Sequence, residues 1–141
     1  MDNVISLKVK RHEKELKYEK RMLKELSLNE IKHKISHNFD EIIKPNSIED
    51  GCVDFAIEAF LLGARYSRFG YYGESMQIAN GRCQYEEKQL VNDLYEYVIE
   101  WGKFKHNNLD SAEVFNKCRY YISSWWKEGF LRGEKRHKLR L

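Results

Sequence analysis

The stretch from Ser47 to Gly63 limits what this chain can fold into more than any other. It reads Ser-Ile-Glu-Asp-Gly-Cys-Val-Asp-Phe-Ala-Ile-Glu-Ala-Phe-Leu-Leu-Gly. Ile48, Cys52, Phe55, Ala56, Ala59 and Gly63 recur at helical spacing. Val53, Ile57, Phe60, Leu61 and Leu62 fill most of the remaining circumference. A helix that is apolar nearly all round is buried by its neighbours, so a central buried helix is expected over about residues 47–66. Pro45 ends whatever precedes it, because its ring fixes φ and it has no N–H. Ser47 then stands where an N-cap belongs, with Glu49 and Asp50 in the first turn, where the helix dipole favours negative charge.

Asp54 and Glu58 interrupt the apolar surface four residues apart, so they share one face of the helix. Like charges at that spacing repel, and two carboxylates buried without partners are costly. Either the face is solvated or paired with an arginine such as Arg65, or the two acids belong to a functional cluster.

The 141 residues fit one domain with a single core. One Pro and eight Gly disfavour an all-β chain built on tight turns. The sequence contains no run of 18 apolar residues, the length expected of a membrane span, and its first residues lack the apolar core of a signal peptide. Cytoplasmic location is the expectation. Cys52, Cys83 and Cys118 are odd in number and far apart, with no C-x-x-C, so neither zinc nor a disulfide framework is expected. Each reads as a small apolar residue on a helix.

The formal charge of +3 hides a pattern. Residues 1–44 carry 11 Lys/Arg against 8 acids, residues 45–110 carry 6 against 11, and residues 111–141 carry 8 against 3. Basic ends flank an acidic middle, either as internal complementarity or as a surface for an acidic partner.

Residues 1–26 read as a Lys/Glu-rich helix with a thin stripe of Leu7, Leu16, Leu23 and Leu26, mostly wet and in position to protrude. Ser27 and Glu30 have capping-box spacing, and Ile31, Ile35, Phe39, Ile42 and Ile43 form the face of the helix that follows. Residues 83–105 are amphipathic, with Leu90, Leu94, Tyr97, Val98, Trp101 and Phe104 in one stripe. Asp110 is placed to cap the last helix, whose stripe is Val114, Cys118, Tyr121, Ile122, Trp125 and Gly129. Gly129 and Gly133, four apart, allow another helix to approach closely. His106 to Leu109 reads as a loop. Expected core residues are Phe55, Ala59, Leu62, Leu94, Val98, Trp101, Ile122 and Trp125.

Between these helices, residues 64–82 hold aromatics, arginines and glycines together. Gly70 and Gly73 weaken a helix there, and Asn80-Gly81 is a turn signal. Tyr66, Phe69, Tyr71 and Tyr72 beside Arg65, Arg68 and Arg82 either pack under neighbouring helices or stack bases, packing being preferred. The tail from Lys127 holds Lys127, Arg132, Lys135, Arg136, Lys138 and Arg140 against Glu128 and Glu134, the most basic patch of the chain.

His33 and His37 lie four apart. Glu30-Ile-Lys-His33 and Glu134-Lys-Arg-His137 both fit the Glu-x-x-His pattern of carboxylate-bridged di-metal bundles. Sixteen Glu and five His make such matches expected by chance, and both sit among cations. No metal and no cofactor is expected. A G-x-S-x-G elbow, a P-loop, a dinucleotide fingerprint and a zinc signature are all absent from the sequence.

Three blocks carry a resemblance: Cys52-Val-Asp-Phe-Ala-Ile-Glu-Ala-Phe-Leu-Leu-Gly63, Phe69-Gly-Tyr-Tyr-Gly-Glu-Ser-Met76, and Ser124-Trp-Trp-Lys-Glu-Gly-Phe130 followed by Glu134-Lys-Arg. Together they resemble the small YbaK family of Bacillus-type bacteria, a domain of unknown function unrelated to the tRNA-editing proteins that share the name. The likeness implies a bacterial cytoplasmic protein and assigns no catalytic residue. The blocks coincide with the places where Asp54, Glu58, Glu74 and Glu128 meet apolar or aromatic surroundings.

The expected fold is all-α, an irregular bundle of four to five helices in one domain around the central helix. The first functional expectation is a non-enzymatic interaction or regulatory module using residues 66–76 and 127–141, with a protein or a second copy of the chain as partner. A nucleic-acid-binding module through the basic tail and residues 65–82 comes second. A helical-bundle enzyme or ligand binder comes third, and requires Asp54, Glu58, Glu74 and Glu128, with Arg65 and Arg68, to converge on one pocket.

Overall fold

In this computed structural model, which describes residues 3–106 and 110–139, the regular structure is helical. The helices are α1 (Asn3–Leu23), α2 (Leu28–Phe39), α3 (Glu49–Tyr71), α4 (Met76–Arg82), α5 (Gln84–Trp101) and α6 (Ser111–Leu139), with a 3-10 turn at Pro45–Ser47. Among the described residues there is no strand, only an isolated antiparallel bridge between Ile43 and Phe104. The chain is all-α, with six helices where four or five were expected.

The core is organised on two helices rather than one. Tyr121 Oη donates to the Cys52 carbonyl at 2.8 Å, Gly129 lies against Phe60, Gly133 against Ser67, and His137 against Tyr71. These contacts advance in the same direction along both chains, so α3 and α6 run parallel. Glycine makes the approach close enough. A Cβ on Gly63 would overlap the Trp126 carbonyl, and one on Gly129 the Phe60 carbonyl. Parallel neighbours need a long return, and α4 and α5 supply it. α5 runs antiparallel to α3, with Tyr97 at Gly51 and Phe55 and Leu90 near Leu62. α2 runs antiparallel to α6, with Phe39 on Tyr121 and Lys34 over the Trp125 ring at 4.2 Å.

Ile31, Ile35, Phe39, Ile43, Ile48, Cys52, Ala56, Ala59, Phe60, Leu94, Val98, Cys118, Ile122 and Trp125 are buried in one cluster. Burying one large side chain of this kind contributes about 1.5–3 kcal/mol. A smaller cluster joins Leu62, Ala79, Cys83, Trp126 and Phe130 and holds the short α4 in place. There Trp126 Nε1 donates to Cys83 Sγ at 3.1 Å.

Several local expectations are corrected. Ser47 does not cap α3, which starts after Ile48. Its hydroxyl instead donates to the Lys44 carbonyl at 2.7 Å and accepts from the Lys103 N–H at 3.0 Å, tying the 3-10 turn to the segment after α5. Asn80-Gly81 is no turn but lies inside α4, where Asn80 donates to Glu87 at 2.8 Å. Trp101 is 60% exposed although Val98, three residues earlier, is fully buried, so the covered face of α5 ends before its last residue. Phe104 lies beyond the helix, in the bridge to Ile43. Phe55 is half-buried rather than fully enclosed.

The helix break is as the glycines indicate, one turn later than Gly70. α3 continues through Gly70 and stops at Gly73, whose φ of 106° is easy only for glycine. Gly73 donates to the Gly70 carbonyl and Glu74 to the Phe69 carbonyl, each at 3.0 Å, closing the last turn. Ser75 then caps α4 by accepting from the Ile78 N–H at 3.2 Å. Ser27 likewise accepts from Glu30 N–H at the start of α2, and Asp110 from Ala112 N–H at the start of α6. Asn107, Asn108 and Leu109 of the expected loop lie outside the described residues.

Candidate functional site

The four carboxylates singled out in the sequence occupy different surroundings. Asp54 and Glu58 are exposed. The repulsion between them is relieved by water rather than by an internal cation. Glu58 lines a shallow groove with Glu19, Arg65, Tyr85, Glu86 and Asp93. Glu74 is closed by Arg82, whose Nε lies 2.9 Å from Oε1, and this guanidinium holds the Glu74 carboxyl below its usual range. Glu128 pairs with Arg132 one turn along α6 at 3.3 Å. Glu58 therefore borders the α5 side of α3, while Glu128 belongs to the α2 side of α6.

The basic tail is partly used inside the fold. Arg132 donates to the Glu25 carbonyl and pairs with Glu30 at 3.1 Å, joining α6 to the α1–α2 junction. Arg136 pairs with Glu25 at 2.9 Å, and Lys138 lies 3.9 Å from Glu134. Lys127 and Lys135 are exposed, and Arg140 lies outside the described residues. The potential metal motifs are likewise occupied. His33 and His37 stack on each other in solvent, Glu30 is taken by Arg132, and no metal-ligand cluster forms among the described residues.

What the fold does bring together is the two stretches 66–76 and 127–141. Because α3 and α6 are parallel, their C-terminal ends finish side by side. The His137 ring stacks on Tyr18 of α1 with centroids 5.9 Å apart and lies 5.8 Å from Tyr71 of α3. Tyr71 meets Tyr72 edge-on at 5.2 Å, and Tyr72 is 81% exposed. The Tyr18 hydroxyl donates to the Ala64 carbonyl at 3.1 Å, fixing α1 at this corner.

Arg65 and Arg68 follow one another along the outer face of α3, and Tyr72 comes directly after its last residue. On one side of this line Lys14, Glu15, Tyr18, Glu19, Leu61, Arg65, Arg68 and His137 line a cleft of about 270 Å³. On the other, Arg65, Tyr66, Arg68, Phe69 and Arg82 line a second hollow of about 280 Å³. Arg65 is paired with Glu19 at 3.2 Å and Arg82 with Glu74. Arg68 stands over the Phe69 ring at 5.1 Å, and among the described residues no carboxylate pairs with it. Burial, and then the Arg68 charge, lower the pKa of His137, so the ring favours its neutral form.

Sequence reading named Arg65 and Arg68 but not the part played by Tyr18 and His137. Tyr18 was one aromatic in a charged helix, and His137 read only as half of a metal motif. Their meeting depends on contacts 119 residues apart in the chain, which no local spacing reveals.

The whole chain, residues 1–141, matches the family model described as "Protein of unknown function (DUF2521)". The chain is 37% identical over 146 residues to the uncharacterized protein YbaK of Bacillus subtilis (strain 168), covering 100% of this chain and 99% of that protein. The chain belongs to this family. No solved structure matches it. No helix among the described residues is long and apolar enough to cross a membrane.

Proposed function

We propose that this member of the DUF2521 family is a non-enzymatic helical interaction module, and that its docking surface is the corner where α3 and α6 end. One observation carries this reading. Tyr72 is 81% exposed and leans on Tyr71, itself 42% exposed, which in turn rests against His137. Exposed tyrosines on rigid elements beside an arginine are what protein interfaces use as anchors, because they offer large contact area at small entropic cost. Arg68 supplies the cation and α6 supplies further basic residues at the rim. The separate surroundings of Glu58, Glu74 and Glu128 favour this reading over a bundle enzyme built on those acids. The internal pairing of Arg65, Arg82, Arg132 and Arg136 weakens a continuous phosphate-tracking stripe.

The test is photo-crosslinking in cells that make the protein, with a photoreactive residue at Tyr72 or at Tyr120. Tyr120 is 65% exposed and stands beside Asp110, Ala112 and Glu113 at the start of α6, the opposite end of the helix from His137. A discrete protein adduct from position 72 and none from position 120 is expected. Equal labelling from both, or none from either, overturns the reading.

A further inference from the structure

We infer that the cleft between α1, α3 and the end of α6 is a binding site for a small aromatic oxyanion, a single ring carrying a phosphate or carboxylate group. The cavity of about 270 Å³ is close to the lower end of ligand-sized pockets, roughly 300–1,000 Å³. It holds one ring and one anionic group, not an extended chain. Its walls suit a ring. Leu61 and the Tyr18 ring are apolar, and the stems of Lys14, Arg65 and Arg68 add hydrocarbon, since long cationic side chains bury their methylenes and leave their heads wet.

The charges suit an oxyanion. Arg68 and His137 both line the cleft, and among the described residues no carboxylate pairs with Arg68. An oxyanion placed there accepts charge-assisted hydrogen bonds from the guanidinium fork, which matches phosphate and carboxylate geometry. It also favours the protonated imidazole that burial, and then the Arg68 charge, otherwise oppose. Lys14 stands on the α1 rim and Arg65 on the α3 rim, the latter engaged with Glu19 through one nitrogen. Glu15 and Glu19 on the same rim set the size limit. They repel a polyanion running along the cleft, so a lone anionic group fits where a nucleic acid strand does not. The Tyr18 hydroxyl is engaged by Ala64 and lies 3.4 Å from the Ser67 hydroxyl, so the ring that forms the wall is fixed before any ligand arrives. This site shares Arg68 and His137 with the proposed docking surface but not Tyr71 or Tyr72, so loss of the crosslink at position 72 and loss of the aryl-anion shift at His137 are separate outcomes.

The experiment follows the His137 imidazole signals by NMR, assigned with a His137→Gln variant, during titration with phenyl phosphate, benzoate, inorganic phosphate and benzyl alcohol. Both aryl anions are expected to move His137 saturably at millimolar concentrations, a standard affinity for a ligand this small. Inorganic phosphate is expected to bind about tenfold more weakly for want of the ring, and benzyl alcohol not to move the signals. Arg68→Gln, an exposed position at which the fold is retained, is expected to weaken both aryl anions about tenfold or more. Arg119→Gln, on an exposed arginine elsewhere on α6, leaves binding unchanged. The site is refuted if neither aryl anion gives a saturable shift or if benzyl alcohol shifts His137 equally. It is also refuted if inorganic phosphate matches phenyl phosphate, or if Arg68→Gln binds as the wild type does.

Discussion

Gly63 on α3 and Gly129 on α6 face each other's helix backbone. A Cβ on the first would overlap the Trp126 carbonyl, and one on the second the Phe60 carbonyl. The clash is with main chain, which cannot rotate aside as a side chain can. The parallel α3–α6 pair, and with it the corner of His137, Tyr71 and Arg68, depends on this approach. Gly129→Ala gains helix propensity of about 1 kcal/mol, but overpacking against backbone costs more. A net loss of about 1–3 kcal/mol is expected from urea denaturation. Gly81→Ala is the counter-case. That glycine lies inside α4 with open space around it, so alanine there is expected to stabilise by up to about 1 kcal/mol. If the two substitutions move stability in the same direction, the packing account of Gly129 is wrong.

Arg132 works as a bracket rather than as surface charge. It donates to the Glu25 carbonyl, pairs with Glu30 at 3.1 Å and Glu128 at 3.3 Å, and stands 5.7 Å from the centre of the Phe60 ring. Arg132→Ala is expected to destabilise by about 1–3 kcal/mol, since a charged donor and a packed stem are lost together. Arg132→Lys recovers only part of this, because an ammonium cannot reproduce the planar fork. Lys135→Ala, three residues on and exposed, changes stability by less than about 0.5 kcal/mol. Chemical denaturation of the three variants distinguishes a bracket from a generally basic tail, for which the losses would be alike.

The contrast between Arg132 and Lys135 shows where sequence reading stops. Periodicity located the helices and most of the core, because burial repeats every three to four residues wherever a helix lies on a core. It could not say which cations of a basic run turn inward, since that depends on where Glu25 and Glu30 fall about a hundred residues earlier. Trp101 illustrates the complementary limit. It continues the stripe of Leu90, Leu94 and Tyr97, yet α3 runs the opposite way and its first turn, at Gly51, already lies opposite Tyr97, so Trp101 passes beyond the end of its partner. For Asp54 and Glu58 the spacing left two readings open, a solvated face or a functional cluster, and only the packing decides: both are exposed, and Glu58 borders the groove between α5 and Glu19 of α1. For the candidate site, Arg65 and Arg68 were legible as chemistry and Tyr18 and His137 were not, because the register of three helices decides their meeting.

The three cysteines offer a test of burial. Each is fully enclosed and free. Burial pushes the Cys118 thiol up to about 12 and the Cys83 thiol to about 11, the latter held down somewhat by the Trp126 N–H, and it raises Cys52 further still. The thiolate is the reactive form. At about pH 8, where a free cysteine is partly ionised, the native protein is therefore expected to resist an aromatic disulfide reagent. All three should react together as urea unfolds the chain. Fast labelling of one cysteine in buffer alone would show that its helix opens locally. Cys83→Ala tests the same contact from the other side. It leaves the Trp126 N–H without a partner in a buried site and is expected to cost about 1–3 kcal/mol.

Protonation of His137 should couple the corner to pH. Its pKa in the fold is lowered, first by burial and then by Arg68, against roughly 6.5 for an unstructured histidine. The unfolded chain therefore takes up the proton first as pH falls. Stability attributable to this residue is complete above about pH 6.5, declines as pH drops below it, and is lost once pH passes below the folded value. The groups that surround the ring are Lys14, Glu15, Tyr18 and Glu19 from α1, and Arg65, Arg68 and Tyr71 from α3. Of these, Arg68 is the one whose charge depresses His137. Arg68→Gln is expected to raise the His137 titration midpoint toward the ordinary value without restoring it, because burial remains. It should also flatten the pH dependence of the urea midpoint between about pH 5 and 7 relative to wild type. Arg65→Gln, whose partner is Glu19, serves as the control and should leave the His137 midpoint in place. An NMR titration of His137 in the three proteins decides the matter. An unchanged midpoint in Arg68→Gln would mean that the guanidinium does not act on the ring, and the charge arrangement at the corner would have to be redrawn.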